Sequence, residues 1–439
     1  RRELSSAILP IEISGESATL LAAPLFLSSK TYEKVVTAAE IFVDATVAIE
    51  TNSRFQAGNI VYDRLYNSLS ANGKTLIDRS KPVTSETAKR RFRRLDGFLL
   101  SNQAPTFIEM NQSAPLAISF YQRAKQLVTD IADRAGIAIS ASGDLYSDLA
   151  EWFISELRAI GHNQDSATIA VSMERGYPAK FVDLPVACNG ITAAAKKQGL
   201  ELTLILAEPT EFTWDGTRGY VKGVSFDLLW RNTVYLQNYP ETLAEYEAIR
   251  YGGMPMINDL HSWFFRSKEF FAIVWDDAMQ SELTNFGIDV AKVRRFVPRT
   301  INLNQLDKDE KDRSSWILKR CDDGFGKGIV FGSELTRAEW VEYISGQHGT
   351  DWIAQEIVRP LATELPIILS DGSIRSIMCY CDIDPFVVNG SVSGMLVRAL
   401  PVNTGTDRKM NIVEGAAIGC AMSSLCYNIN HGNPTRFPR

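Results

Sequence analysis

The chain has 439 residues, of which 45% are hydrophobic and 22% charged, and a formal net charge of −6. These ordinary globular values argue against a disordered, collagen-like or coiled-coil chain, and the length favours two or three packed subdomains. The negative charge and a pI near 5.5 argue against a general nucleic-acid binder, since phosphate contacts require a basic face.

The first predicted unit, residues 1–165, combines helices with a strand hairpin. Helical patterns cover 32–50 and 117–136, and the second ends at a glycine, as helices often do. Between them, two strands around a polar turn predict a β-hairpin at about 90–115. The basic segment 89–94 at its start is typical of a solvated helix or strand edge, although such a cluster of cations can also hold phosphates.

The second predicted unit, residues 166–257, has the pattern of an α/β layer. A buried strand at 167–171 is followed by a helix that ends at Gly199 and by a strand at 202–207. This order of strand, helix and strand implies parallel pairing. A further strand at 226–231 ends in polar residues, and ends of this kind often face a cleft in α/β sheets.

The third predicted unit, residues 258–439, contains a charged surface loop at 307–313. After this loop, a capping box of Thr336 and Glu339 predicts the start of a helix. The segment 352–358 that follows the helix has the pattern of a strand.

A glycine-rich turn at 322–328 joins two predicted strands of the third unit, at 316–319 and 329–331. Its glycines let backbone N–H groups approach an anion closely, and Lys327 adds an ammonium group. These properties suit a nucleotide phosphate, although the spacing matches neither a Walker loop nor a dinucleotide-binding loop. Alone, a turn of this kind is more often only a turn, so its neighbours decide its meaning.

The neighbours of this turn occur in an informative order. Lys319 lies on the strand before it, and the strand 352–358 follows one helix later. This order resembles the ATP-grasp family, which implies that Lys319 contacts nucleotide phosphates, that the turn closes as a lid and that the later strand lines the adenine pocket. Without the resemblance, Gln355 and Glu356 would be a plain edge-strand pair. The nucleotide-binding residues implied are Lys319, Gly324, Gly326, Lys327, Gly328, Gln355, Glu356, Ile357 and Val358.

The predicted hairpin of the first unit carries three oxygen-bearing side chains. Alternation along a strand places Glu109 and Asn111 on one face, where Asp96 of the other strand is able to oppose them. Such ligands suit Mg²⁺, which binds a few oxygen ligands together with water and substrate phosphates. Without a metal, carboxylates of this kind lie at a surface or pair with cations, here Arg93 and Arg94.

The motifs Arg-x-Asp at 94–96 and Glu-x-Asn at 109–111 resemble those of glutathionylspermidine and trypanothione synthetases, a circularly permuted ATP-grasp group. In that group the permutation moves the metal strands ahead of the lid. The resemblance implies that Arg94 stabilises the transferring phosphoryl group and that Lys268 contacts phosphate. The Mg²⁺ ligands implied are Asp96, Glu109 and Asn111.

The C-terminal part of the chain offers weaker acidic candidates. In most ATP-grasp enzymes the metal-binding acidic residues follow the adenine strand, but here that region is poor in such pairs. Arg398 lies in a segment that resembles a glycine-and-arginine strand of the wider permuted group. The oxygen-bearing pairs present are Asp382 with Asp384 and Asn411 with Glu414.

The resemblance implies an α/β (α+β) ATP-grasp fold in circularly permuted order, with several lobes and a nucleotide cleft between them. Residues 166–257 would form a pre-grasp-like substrate lobe, and 258–439 the nucleotide-binding region. The implied activity is that of an ATP- and Mg²⁺-dependent ligase, which joins a small-molecule or peptide carboxylate to an amine through an acyl phosphate during biosynthesis. Two alternatives stay open: an ATP-dependent phosphotransferase for a small acceptor and a catalytically silent ATP-binding scaffold.

Cysteine spacing and apolar runs indicate a cytoplasmic protein without a membrane partner. The six cysteines lack a secreted-scaffold spacing, so reduced thiols are expected. Cys379 and Cys381 share a strand face but lack the second pair that zinc requires, which indicates a structural role. No apolar run reaches the roughly 18 residues that a membrane helix needs.

Overall fold

The computed structural model describes residues 12–13, 16–17, 19–80, 82–136, 143–173, 183–233, 255–307, 312–324, 326–346, 351–369, 371–402 and 416–423. Three sets of residues in the predicted segments above lie outside these ranges: Phe325 of the glycine-rich turn, the pair Asn411 and Glu414, and residues 308–311 of the predicted charged loop. The α-helices described are α1 (Ser29–Glu50), α2 (Ile60–Asn67), α3 (Ala71–Asp78), α4 (Ser85–Lys89), α5 (Ile118–Arg134), α6 (Leu145–Ala159), α7 (Asp183–Lys197), α8 (Glu269–Trp275), α9 (Gln280–Asn285), α10 (Val290–Arg294) and α11 (Arg337–Gly346).

The strands described are β1 (Glu12–Ile13), β2 (Glu16–Ser17), β3 (Leu20–Leu21), β4 (Leu25–Leu27), β5 (Arg93–Leu99), β6 (Pro105–Asn111), β7 (Ser166–Ser172), β8 (Glu201–Ala207), β9 (Phe212–Trp214), β10 (Gly219–Val221), β11 (Val224–Phe226), β12 (Leu228–Arg231), β13 (Met256–Ile257), β14 (Thr300–Asn302), β15 (Trp316–Arg320), β16 (Ile329–Phe331), β17 (Trp352–Glu356), β18 (Ala362–Ile368), β19 (Ile374–Val388), β20 (Ser391–Pro401) and β21 (Ala417–Ser423).

Helix α1 packs an apolar stripe into the largest hydrophobic core of the described residues. It begins at Ser29 because the hydroxyl of Ser28 caps it, accepting a hydrogen bond from the Thr31 N–H at 3.2 Å. Phe42 of α1 packs against Phe270 and Phe271 of α8, with ring centroids 5.3 Å apart in each pair. These contacts fix α8, whose first turn lies beside the candidate site.

The largest sheet in the described ranges has eight strands, in the order β18-β3-β21-β20-β19-β5-β6, with β4 beside β21. We call it the central sheet. β5 and β6 pair antiparallel, which confirms the predicted hairpin. On its other side β5 pairs with β19, and β19 pairs with β20. Strands from distant parts of the sequence therefore lie next to the hairpin.

A second sheet, β13-β12-β7-β8, is parallel throughout and has α7 between β7 and β8 in the chain. It confirms the parallel α/β layer. The strand predicted at 226–231 is instead divided at Asp227 into β11 and β12, which belong to different sheets. The strand is divided at Asp227 because this residue bonds to Thr168 on β7 instead. Its N–H donates to the Thr168 carbonyl and its carboxylate accepts the Thr168 N–H, at 2.8 Å each.

A third sheet, with the order β14-β17-β15-β16, is antiparallel and carries the glycine-rich turn between β15 and β16. We call it the four-stranded antiparallel sheet. The capping box before α11 is confirmed as well. Thr336 donates its N–H to the Glu339 carboxylate at 2.7 Å, and Glu339 donates its N–H to the Thr336 hydroxyl at 3.3 Å.

The basic segment 89–94 is largely buried, so the expectation of a solvated edge was wrong. Arg91 is 2% exposed and pairs with Glu50 at 2.5 Å and Asp259 at 2.9 Å. Arg93 is fully buried and donates mainly to backbone carbonyl groups. Partners from distant parts of the chain provide the hydrogen bonds that water would otherwise supply.

The described cysteines are buried and free of disulfide bonds. Burial raises the pKa of Cys379 to about 11 and that of Cys381 further, and a protonated thiol is a poor nucleophile and a poor metal ligand. Across the described ranges, every helix is too short or too polar to cross a membrane.

Candidate active site

The β5–β6 hairpin brings the predicted metal ligands together. Its register places Asp96 opposite Glu109 and Arg94 opposite Asn111. The Asp96 carboxylate accepts two hydrogen bonds from Arg94, at 2.8 and 3.0 Å, and one from Asn111 Nδ2 at 3.0 Å. The carboxylate is thus already surrounded by donors in this structure.

Arg398 on β20 is the centre of an ionic cluster beside the hairpin. Its Nη2 lies 3.0 Å from Asp96, 2.6 Å from Asp382 and 3.0 Å from Asp384. Asp382 and Asp384 alternate along β19, the strand between β5 and β20, so both face the same side of the central sheet. The C-terminal acidic pair that the sequence left as a weak metal candidate here surrounds an arginine.

Burial and the two arginines set the charge of this cluster. Burial alone would raise the pKa of Asp96, but Arg94 and Arg398 outweigh it and lower that pKa to about 2. Burial, opposed by Arg398, raises the pKa of Asp382 to about 6 and that of Asp384 well above its usual range. Asp96 is therefore the most firmly ionised of the three carboxylates.

Lys268 joins the hairpin to the glycine-rich turn. It directly precedes α8, and its N–H donates to the Cys321 carbonyl at 3.0 Å. Its Nζ lies 3.2 Å from Glu109 Oε1 and donates to the Asp323 carbonyl at 2.6 Å. The Lys268 ammonium group is almost fully buried, whereas the Glu109 side chain is 24% exposed, so the pair lies at the edge of the buried site.

Lys319 and Gln355 face the same place from the four-stranded antiparallel sheet. Lys319 Nζ donates to Gln355 Oε1 at 2.7 Å, and Gln355 Nε2 donates to Thr300 Oγ1 at 3.1 Å. Burial lowers the pKa of Lys319 to about 8, although Glu109 opposes the change and Lys268 adds to it. These electrostatic contacts place Lys319 at the same site as the hairpin.

The residues after Gln355 point in other directions. The side chain of Glu356 is 44% exposed and lies 3.4 Å from Arg299, as alternation along β17 requires when Gln355 is buried. Ile357 donates its N–H to a backbone carbonyl just before β15 at 2.8 Å, and Val358 is half-buried. Gln355 is therefore the member of this predicted group whose side chain contacts Lys319.

Backbone hydrogen bonds close the glycine-rich turn. Lys327 donates its N–H to the Gly324 carbonyl at 3.1 Å, and Arg320 donates its N–H to the Gly328 carbonyl at 2.9 Å. Gly326 and Gly328 have φ values of +73° and +62°, which residues with a side chain rarely adopt. The glycines are thus required by the backbone path of the turn.

The base of the turn is anchored by Asp322, which sequence reasoning did not identify. Arg266 Nη1 donates to the Asp322 carbonyl at 2.5 Å and to its carboxylate at 2.6 Å. Ser70 at the start of α3 donates to the same carboxylate, through its N–H at 3.1 Å and its hydroxyl at 2.5 Å. The anchor joins distant segments, so no local pattern reveals it.

Glu269, next to Lys268, is a second functional candidate that the sequence did not reveal. It accepts hydrogen bonds from Arg64 Nε at 2.6 Å and from Asn302 Nδ2 at 3.2 Å. Burial raises its pKa to about 7, although Arg64 opposes the rise. These contacts fix the first turn of α8 and, with it, the position of Lys268.

The hairpin donors fit a Mg²⁺ ion that arrives with nucleotide phosphates. In the described residues, no group of three or more His, Cys, Asp or Glu side chains is arranged to hold a metal ion. The hairpin instead offers two carboxylates and one amide, Asp96, Glu109 and Asn111. Mg²⁺ commonly takes one or two protein carboxylates and completes its shell with water and substrate phosphates. The donor types therefore suit this ion, while in this structure Asp96 and Glu109 are paired with arginine and lysine.

No protein-family profile and no curated protein matches the sequence. The fold is similar to that of a glutathione synthetase-like effector from Globodera pallida in the apo form, with a TM-score of 0.59 and 11% identity over 93% of this chain and 91% of that chain. A putative gamma-glutamylcysteine synthetase from Methylobacillus flagellatus gives a TM-score of only 0.46, with 12% identity over 91% of this chain and 89% of that chain. A D-alanyl-alanine synthetase A from Vibrio cholerae gives a TM-score of 0.28, with 10% identity over 59% of this chain and 88% of that chain. The first likeness shows the fold alone: the chain has an ATP-grasp-type fold, as its motifs implied.

Proposed function

We propose that the protein is an ATP- and Mg²⁺-dependent carboxylate–amine ligase with a circularly permuted ATP-grasp order. The observation that carries the proposal is the position of Lys268, which lies 3.2 Å from Glu109 of the hairpin and donates to Asp323 of the glycine-rich turn. Two motifs that are distant in the chain thus meet at one ammonium group. The proposed nucleotide cleft lies between the central sheet and the four-stranded antiparallel sheet.

The cations of the site suit an attack of a carboxylate on the γ-phosphate of ATP. These two anions repel each other, so the charge that develops between them has to be neutralised. Arg94 supplies positive charge from the central sheet, and Lys268 and Lys319 supply it from the opposite side. A bound Mg²⁺ ion would supply further neutralisation of the phosphate oxygens. The residues that would hold it are Asp96, Glu109 and Asn111.

The proposed product is an amide or peptide bond, with ADP and phosphate. The γ-phosphoryl group passes to the substrate carboxylate and ADP leaves. An amine then attacks the carbonyl carbon of the acyl phosphate, loses a proton and displaces phosphate, so no protein nucleophile is needed. Closure of the glycine-rich turn would keep water from the acyl phosphate. Residues 166–257 are the proposed substrate lobe, and the name of the glutathione synthetase-like relative favours amino-acid or peptide substrates.

Transfer of ¹⁸O from substrate to phosphate tests the acyl phosphate. The protein is incubated with ATP, Mg²⁺, amines and a panel of amino acids and dipeptides labelled with ¹⁸O in the carboxyl group. We expect one ¹⁸O atom in the phosphate released per turnover, and ADP release that requires both acid and amine. A stable phosphorylated product formed without amine would instead identify a phosphotransferase. ATP binding without turnover across the panel would favour a silent scaffold.

The affinity for ATP is expected to fall as the pH rises through about 8, the pKa of Lys319. Above this pH the buried ammonium loses its proton, and a neutral amine attracts phosphate less strongly. Calorimetric titration with ATP between about pH 7 and pH 9 measures the effect. Lys319→Arg is the control, because a guanidinium stays protonated in this range. Equal pH dependence in the two proteins would refute the assignment of Lys319 to phosphate.

Gly326→Val is expected to lower turnover at least about tenfold, because the turn could no longer adopt the backbone conformation that positions it over the nucleotide phosphates. The change should cost only about 1–2 kcal/mol of unfolding free energy, the strain of a side chain at positive φ. Gly372→Val is the matched control. Gly372 has a φ of +76°, and a Cβ there meets no atom within 4 Å, so the strain is similar and the site is untouched. Equal turnover in the two variants would show that the turn is not a lid.

A further inference from the structure

Asp382 and Asp384 have no place among the proposed metal ligands, yet both contact Arg398. The side chain of Asp382 lies 2.6 Å from Arg398 Nη2 and also accepts the backbone N–H of Arg398 at 2.9 Å. Asp384 lies 3.0 Å from the same Nη2 and is fully buried. Two carboxyl groups on the strand next to the hairpin therefore lie against one guanidinium group, and neither Asp384 oxygen makes a hydrogen bond to any described residue.

Asp96 is shared between two arginines. One of its oxygens accepts from Arg94 Nε and Asn111, and the other accepts from Arg94 Nη2 and from Arg398 at 3.0 Å. If Asp96 serves as a metal ligand, one of these contacts has to give way. Arg398 is the arginine with other carboxylates in reach, whereas the further contact of Arg94 is the Leu116 carbonyl.

Arg398 also has an unused donor. Its Nε is buried and makes no hydrogen bond to any described residue. A buried N–H without a partner costs free energy, so such a group is expected to find an acceptor in the working state of the protein. An anionic oxygen in the cleft beside Asp96 is the chemistry that satisfies a guanidinium N–H.

We propose that Asp382 and Asp384 are positioning residues, which keep the guanidinium group of Arg398 in the site when Asp96 releases it and so present Arg398 to the transferring phosphoryl group. This inference rests on the proposed ligase function. Without these carboxylates, Arg398 would remain on Asp96 and compete there with the metal, or would lose its orientation toward the anion.

Asp382→Asn and Asp384→Asn test the proposal, because each keeps the shape of the side chain and replaces a carboxyl oxygen that attracts the Arg398 guanidinium with an amide nitrogen. In each variant we expect kcat to fall at least about tenfold, as for loss of an oriented donor to the transition state. The KM for ATP should stay within about twofold, because Lys319 and Gln355 are untouched. Glu156→Gln on α6 is the control: Glu156 is similarly buried and pairs with Arg90 at 3.1 Å, and neither constant should change.

A binding measurement separates this proposal from the ligase proposal. The Mg²⁺ concentration that half-saturates binding of a non-hydrolysable ATP analogue should rise in both variants, because Arg398 stays longer on Asp96. An unchanged Mg²⁺ requirement would overturn the positioning role, even if the parent protein proves to be a ligase. If the parent shows no ¹⁸O transfer, the ligase proposal fails by its own test. The titration still decides whether Asp382 and Asp384 change the Mg²⁺ requirement for binding of the ATP analogue.

A double-mutant cycle with Arg398→Lys shows whether the carboxylates act through the arginine. The lysine keeps one positive charge among the buried carboxylates, so the protein is expected to fold. If Asp384 acts through Arg398, then Asp384→Asn should lower kcat little further in the Arg398→Lys background. Losses that multiply would mean that Asp384 acts independently of Arg398, and would overturn the proposal.

Discussion

Glu109→Gln is expected to lower the rate of Mg²⁺-dependent ADP release by about 10²–10³-fold, the cost of removing one oriented electrostatic contact at a phosphoryl-transfer site. Glu109 faces Asp96 across the hairpin and lies 3.2 Å from Lys268. Its replacement removes a proposed metal ligand and the partner of a buried ammonium group. ATP binding should weaken far less, because Lys319 and Gln355 lie on a different sheet.

A coupled assay of ADP release over a range of Mg²⁺ concentrations, with calorimetry of ATP binding, measures the two effects separately. Glu364→Gln is the matched control, since Glu364 is an exposed carboxylate on β18 of the same sheet and should be silent. Normal Mg²⁺-dependent ADP release by Glu109→Gln would rule out the hairpin as the metal site.

Arg91→Met is expected to lower the free energy of unfolding by about 3–5 kcal/mol, because it breaks a buried ion pair and leaves a buried charge without a partner. Glu50 has no exposed side-chain surface, and Arg91 donates to both of its oxygens, at 2.5 and 2.6 Å. Methionine has a similar length but cannot donate. The unpaired carboxylate then has to take up a proton or draw water into the core.

Chemical denaturation at neutral pH measures this change, with Arg54→Met as the control. Arg54 pairs with Glu282 at 3.0 Å but is 56% exposed, so its loss should cost less than about 1 kcal/mol. The double variant Arg91→Met with Glu50→Gln should recover part of the lost stability, since the fully buried carboxylate is gone and the remaining partner, Asp259, is 19% exposed to water. Equal stability of Arg91→Met and Arg54→Met would refute the account of the buried pair.

Local signals in the sequence were enough for much of the fold. The hairpin around Asp96, the strands around the glycine-rich turn and the helix after Thr336 each follow from short patterns, and each is present. The resemblance of the ordered motifs also gave the correct fold type. The assignment of catalytic, nucleotide and metal roles to these residues stays a prediction.

The features that the sequence did not reveal depend on contacts between distant residues. Arg91 was expected near solvent because it lies in a run of basic residues. Its partners Glu50 and Asp259 lie 41 and 168 residues away, so the local sequence does not show that it is buried and paired. The pair Asp382 and Asp384 could be placed on one strand face, but nothing local shows that this face meets Arg398 and the hairpin. Such pairing is set by which strands become neighbours in the sheet, and no short segment encodes that order.

The order of strands in the central sheet also decides when the protein can assemble during synthesis. β5 and β6 leave the ribosome early, whereas Arg398, which contacts Asp96, is made 302 residues later. Until β19 arrives, β5 has an edge without its native neighbour, and such edges invite pairing with other chains. Contacts of this long range also slow folding, because the loop has to close before the contact forms. Translation of β20, which carries Arg398, is therefore the step at which the three strands that bear the ionic cluster are first all present.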